Sequence, residues 1–202
     1  MVVGCLCLVA LCSPAAAAAK GRVAKFIEPE SLVAQPLDLP GFRYASREIH
    51  ATTSPSRYAE QILGDNAREA RSEIAFLRDA GFKEGVQEVF YGLPGEALSI
   101  AEVFSSKRGA RHAFSVAAAE DVNTREAPLE KTFRLSSIPG ADGFGGPDLH
   151  GTGGYSNVLF SMGHCLFLVG NALRVVTSSE QLDAVPDAGA VALYSRDRQR
   201  CR

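Results

Sequence analysis

The chain of 202 residues has no tryptophan, only four histidines, and little net charge: −2, from 21 Lys+Arg against 23 Asp+Glu. The near balance of charge excludes a general nucleic-acid binder, which needs a basic surface to displace counterions from phosphate. The histidines at 50, 112, 150 and 164 are scattered, and neither H-x-x-x-H nor C-x-x-C spacing occurs. The sequence therefore offers no zinc-type metal site and implies no cofactor. Collagen-like, coiled-coil and multi-span membrane compositions are absent too. With 46% apolar and 22% charged residues, wholesale disorder is excluded. The length fits one domain.

One long apolar run does occur, at the N-terminus. Residues 1–19 carry no charged side chain, and 16 of the 19 are apolar. Val2 to Cys12 has the length of a secretory h-region, Ser13-Pro14 breaks it, and Ala17-x-Ala19 before Lys20 is the best cleavage site. The expected organisation is a signal peptide at 1–19, an extended lead-in at 20–40 and a single domain at 41–202. The alternative is an uncleaved N-terminal anchor, since 19 residues just span a bilayer. No cysteine has a lipoprotein context: Cys7 and Cys12 follow leucines, and Cys5 has no apolar run before it. Cleavage leaves Cys165 and Cys201, an even pair in a compartment that permits oxidation, and these are expected to form a disulfide. The closed loop of 37 residues corresponds to about 4 kcal/mol in the chain-entropy account. The alternative is a buried Cys165 beside an unpaired Cys201. The expected location is secreted or extracytoplasmic, with no stable span after cleavage.

Past the lead-in, which holds one short strand candidate at Val23 to Ile27, strands and helices alternate. Phe42 to Ile49 reads as a strand. Ser54-Pro55 then opens a helix that runs to Ala80 with a break at Gly64, and Gly81-Phe82 closes it as a left-handed cap. Strands Val86 to Tyr91 and Ala97 to Phe104 follow; Leu98, Ile100 and Glu102 share one face, with Ala101, Val103 and a partly exposed Ser99 on the other. Ser105 or Ser106 caps a helix to Asp121 with Ala110, Ala113, Phe114 and Ala117 inward. Phe133, Leu135 and Ser137 alternate as in a half-buried strand. Gly140 to Ser156 holds seven glycines in 17 residues, shows no apolar period, and reads as a long loop. Asn157 to Met162 and Cys165 to Gly170 form a hairpin about Gly163-His164, with glycine placed for a type II′ turn. Thr177-x-x-Glu180 and Ser178-x-x-Gln181 both match a capping box for the last helix, which Pro186 is expected to kink or split before Ala190 to Tyr194. The fold class is α+β: a mainly antiparallel sheet covered by about three helices, an α/β sandwich. A hairpin-then-helix unit appears twice, at Val86 to Ala118 and Asn157 to Leu193, which raises an internal duplication.

The segments EALSIAEVFSSKRGARHAFSVAAA and NVLFSMGHCLFLVG resemble the strand-then-helix unit and the apolar hairpin of small secreted actinobacterial envelope proteins. Those include PsbP-like lipoproteins and the extracellular sensor domain of the kinase PknH. The resemblance covers about half the chain and implies an α/β sandwich, an extracytoplasmic compartment, and binding of a ligand or partner.

Catalytic patterns are weak. Gly154-Tyr155-Ser156-Asn157-Val158 lacks the last glycine of a nucleophile elbow and leads into a strand, and Ser161 lies inside a hairpin. Cys165 stands in CLFLV, where an apolar setting disfavours a thiolate. Asp65, Glu69 and Glu73 form an acidic row with the spacing of a solvated helix face. The arginines of RDRQRCR at 196–202 suit a helix C-terminus, with contact to an anionic envelope surface as the sharper alternative. The glycine-rich segment is the one stretch that invites a ligand: it carries Asp142, Phe144, Asp148, His150 and Tyr155 and leads into a strand rather than a phosphate-binding helix. The sequence thus points to a non-enzymatic binding or sensor-type module for a small apolar ligand or an envelope protein partner. The alternatives are an extracytoplasmic hydrolase with an unrecognised site, where Asp148 and His150 lead, or a structural envelope protein.

Overall fold

The computed structural model describes residues 29–44, 50–63, 67–123, 131–147 and 152–202. Two short 3-10 turns, Pro29–Leu32 and Pro36–Asp38, precede β1 (Phe42–Tyr44) and β2 (His50–Thr52). Helices α1 (Pro55–Leu63) and α2 (Ala67–Ala80) lead to the β3 (Phe82–Gly92) and β4 (Gly95–Phe104) hairpin and to α3 (Lys107–Asn123). The chain then forms β5 (Lys131–Phe133), β6 (Asp142–Pro147), β7 (Gly154–Met162), β8 (Cys165–Leu173) and α4 (Ser179–Asp197). The strands make one eight-stranded sheet in the order β1-β3-β4-β8-β7-β6-β5, with β2 also paired to β3, and every pairing is antiparallel. This is the expected α+β sandwich, with four helices because the first helical stretch is two.

Helices cover both faces. On one side α4 and residues 32–42 bury Leu182, Ala190, Leu193, Leu32, Val33 and Leu39 against Phe90, Ala101, Phe160, Phe167 and Val169. On the other, α1, α2 and α3 bury Tyr58, Leu77, Ala110 and Ala113 against Phe82, Phe104, Leu159 and Leu166. The two hairpin-then-helix units therefore place their helices, α3 and α4, on opposite faces. A two-fold axis normal to the sheet, which would relate the antiparallel β4 and β8, keeps a helix on its own face. The structure does not support a duplication.

Local chemistry sets the ends. Ser54, Ser106 and Ser178 each accept from the backbone N–H three residues on, at 3.4, 3.1 and 3.2 Å. At α4 the cap is Ser178, while the Gln181 amide oxygen reaches back to the Thr177 N–H and hydroxyl. Gly81, at φ +79°, ends α2, where a Cβ would overlap the Ser105 hydroxyl. Gly163 has φ +61° and, among the described residues, no non-glycine residue has positive φ, the pattern of a type II′ turn at Gly163-His164. The turn is also docked: His164 N–H donates to Cys201 C=O, and Phe104 N–H to His164 C=O. Cys165 and Cys201 form the expected disulfide, with 5.6 Å between their Cα atoms.

Some expectations give way, and others fall outside the described residues. Residues 1–28, with the signal segment and the Val23 to Ile27 strand, are among the latter. Of the strand expected over Phe42 to Ile49, residues 42–44 form β1 and 45–49 lie outside the described residues; β1 and β2 both lie along β3, at Phe42↔Gly92 and His50↔Gln87. Strand β5 stops at Phe133: Leu135 and Ile138 are buried three residues apart in successive turns before Pro139-Gly140, so the alternation does not continue. Ser99 is fully buried, its hydroxyl accepting the Ala34 N–H at 2.9 Å. Pro186 does not split α4. Proline removes the N–H that the Leu182 carbonyl would receive, and the Asn171 side chain of β8 supplies that donor instead, at 2.9 Å.

The largest correction is the glycine-rich segment. Among its described residues, 142–147 form β6 and 154–156 start β7; residues 148–151 lie outside the described residues. Gly143, Gly145 and Gly154 stand where neighbouring groups leave no space for a Cβ, whereas Gly140, at φ +76°, faces open space. A Cβ on Gly143 would enter the Phe133 ring, and one on Gly145 would overlap the backbone of Tyr155 and Ser156.

Candidate functional site

Strands β5, β6 and β7 and the C-terminal part of α3 enclose a recess of about 450 Å³. Register builds it: Thr132 faces Phe144, Phe133 faces Gly143, and Asp142 faces Leu159. Phe144, Leu159 and Ala118 supply an apolar wall, and Thr132, Arg134 and Asp142 a polar rim. Arg134 Nε lies 4.0 Å from Asp142 Oδ1, a pair with both side chains in solvent. Such a pair contributes little to stability and leaves both groups open to a ligand.

Of the five residues singled out in the glycine-rich segment, the structure brings Asp142 and Phe144 together in this recess. Tyr155 lies one row further on the same face, opposite Gly146, and lines a neighbouring groove. Asp148 and His150 lie outside the described residues.

Other polar groups are committed to holding the fold. Ser156 is fully buried and donates to Asp183 at 2.7 Å, while its N–H donates to Asn171; substrate has no path to its hydroxyl. Arg196 bonds Asp38, Asp197 and the Val33 carbonyl, and Arg200 pairs with Asp197 and Ser31. These two arginines therefore fasten the 31–38 segment to the end of α4, the structural side of the two readings of that cluster.

The sequence did not single out the pair under α1. Tyr58, fully buried, donates to Glu102 at 2.7 Å, and its ring lies against Gly85, where a Cβ would enter it. Burial pushes the Glu102 carboxyl up to about 7, the Tyr58 bond opposing that shift and the Glu73 charge adding to it. Burial, then Glu102, then Glu73 raise the Tyr58 phenol well above its usual range. Glu73, expected on a solvated face, is half-buried. The available signal was an acidic residue on the same strand face as Leu98 and Ile100.

With this geometry in hand, the comparison with solved structures is informative. The fold is similar to that of the extracellular domain of PknH from Mycobacterium tuberculosis. The two align with a TM-score of 0.54 and 9% identity, over 86% of this chain and 100% of that one. At that identity the likeness is one of fold, and it supports the sensor-domain part of the resemblance carried by the strand-then-helix and hairpin segments. No protein-family model matches the chain, and no curated protein matches it in sequence. Among the described residues, no helix is long and apolar enough to cross a membrane.

Proposed function

We propose that this chain is an extracytoplasmic, sensor-type binding module that holds a small, largely apolar ligand in the recess between α3, β5 and β6. The carrying observation is the recess itself: an apolar wall of Phe144, Leu159 and Ala118 beneath an exposed Arg134–Asp142 rim. Pockets with an apolar lining and a few convergent polar groups are the usual form of a small-molecule site. The burial of Ser156 supports binding over hydrolysis. The disulfide and the fold of an extracellular domain support export, with residues 1–19 as a cleaved signal.

Native mass spectrometry of the protein secreted by its own host, without reductant, tests this reading. The expected mass begins near Lys20, lacks two hydrogens for the disulfide, and includes a bound species that Phe144→Trp displaces. A bare polypeptide mass overturns the ligand, and a mass that includes residues 1–19 overturns cleavage.

A further inference from the structure

Helices α1–α3 leave part of their face of the sheet uncovered, and a groove of about 340 Å³ runs there over β3, β4, β8 and β7. Register places Val89, Leu98, Gly170 and Asn157 in one row across these strands, with Phe144 of the first recess next in line. The groove therefore begins on the far side of the Phe144–Asn157 pair from that recess. Gly170 is its floor: a Cβ there would overlap the Asn157 amide oxygen, so this amide lies over the β8 backbone. Gln87 stands on one flank of the row, and Tyr155 and Glu96 stand on the other.

The lining constrains the ligand. Gln87 and Asn157 each present donors and an acceptor, whereas Glu96 is exposed and, when ionised, accepts only. No lysine, arginine or histidine is among the described lining residues. An anion would meet Glu96 with no compensating cation among the described lining residues, and a monocation would find one exposed carboxylate that salt screens. A wholly apolar ligand would strip water from two amides and return no hydrogen bond. What fits is a ligand dense in hydroxyls, which donate and accept, with C–H faces to set on Val89, Leu98 and the Tyr155 ring.

We propose that this groove is a binding site for a neutral saccharide, held by hydrogen bonds to Gln87, Asn157 and Glu96 with a sugar face on the Leu98–Tyr155 surface. It is separate from the recess at Phe144 and stands whether or not that recess is filled.

The test is an amide-resolved NMR titration of the oxidised protein with maltose, trehalose and N,N′-diacetylchitobiose, with acetate and choline as charged controls. The expected result is a saturable shift of the Gln87, Leu98, Tyr155 and Asn157 amides with at least one sugar and none with either control. Gln87→Ala and Asn157→Ala should each weaken that sugar about tenfold while resonances elsewhere stay in place. Because Asn157 lies over the Gly170 backbone, Gln87→Ala is the deciding variant if Asn157→Ala disturbs the sheet. Gln87, Glu96 and Tyr155 line this groove and not the first recess, so failure here is distinct from failure of the apolar-ligand reading. No saturable shift with any of the three sugars, a stronger response to acetate or choline, or undiminished binding by Gln87→Ala overturns the proposal.

Discussion

The two faces of the sheet are held in different ways. Toward α4 the contact is closed: Phe160 and Phe167 stack at 5.0 Å, Tyr194 meets Phe160 edge-on, and the disulfide ties residue 201 to the first residue of β8. Toward α1–α3 the cover is partial, a carboxyl and a phenol share the interior, and two recesses remain open. Both faces hold buried polar groups, Ser99, Ser156, Asn171 and Asp197 toward α4 and Tyr58 with Glu102 toward α1–α3, but the second also keeps a surface that solvent reaches. The proposed sites lie on the second face, where a ligand would displace water rather than packed side chains.

The largest effect should come from the closed face. Phe167→Ala removes a fully buried ring and should cost about 3–5 kcal/mol in urea unfolding. A loss under 1 kcal/mol would mean that the α4 face is not the tighter of the two. Replacing Cys165 and Cys201 together by serine should cost about 3–4 kcal/mol, read as a lower unfolding midpoint without reductant. An unchanged midpoint would break the account of that face.

On the open face the expectation concerns pH. Folded Glu102 keeps its proton up to about 7, whereas an ordinary glutamate carboxyl loses it near 4.5, so the folded state binds more protons between these values. Stability therefore falls as pH rises through that window, by at most about 3 kcal/mol from this group. Burial raises the Glu84, Asp187 and Asp197 carboxyls as well, and they add to the slope with the same sign. Glu102→Gln keeps an acceptor for Tyr58 and should flatten, not abolish, the fall in melting temperature from pH 5 to 8. A slope identical to that of the unmodified protein would place the titration elsewhere.

Asn171→Ala strands the Leu182 carbonyl and should cost about 1–3 kcal/mol. Adding Pro186→Ala returns a helix N–H to that carbonyl, so the double variant should lose less than Asn171→Ala alone. A purely additive result would sever the link between the two sites. The smallest effect should be Arg134→Ala, within about 0.5 kcal/mol, because its partner lies 4.0 Å away in solvent. That neutrality makes the variant a clean probe of ligand binding at the recess.

What the sequence disclosed and what it hid follow the same division. Caps at Ser106 and Ser178, the turn at Gly163 and the pairing of Cys165 with Cys201 depend on local rules or on counting, and the structure agrees with each. Strand β6 was hidden because its glycines are small for the sake of Phe133 and Tyr155, residues distant in the chain, so no apolar period marks it. Ser99, Asn171 and Glu102 escaped for a similar reason: each is polar, and its partner, Ala34, Leu182 or Tyr58, comes from another element. The recess was half legible. Asp142 and Phe144 stood out as chemistry within a glycine run, but Thr132, Arg134 and Ala118 reach it only through strand pairing and helix placement.

The salt links at the start of the described chain bear on how the molecule would respond to tension. Ser31 is bonded to Arg200, so the two ends of the domain emerge side by side. A pull on the C-terminal end passes through Cys201 straight into Cys165 on a central strand, where it is shared across the sheet. Among the described bonds, a pull on the other end meets Ser31 to Arg200, then Val33 to Arg196, Ala34 to Ser99 and Asp38 to Arg196, then Phe42 on β3. Each step would also draw Leu32, Val33 or Leu39 out of the α4-side core, so one end resists tension by burial and the other by a covalent clamp.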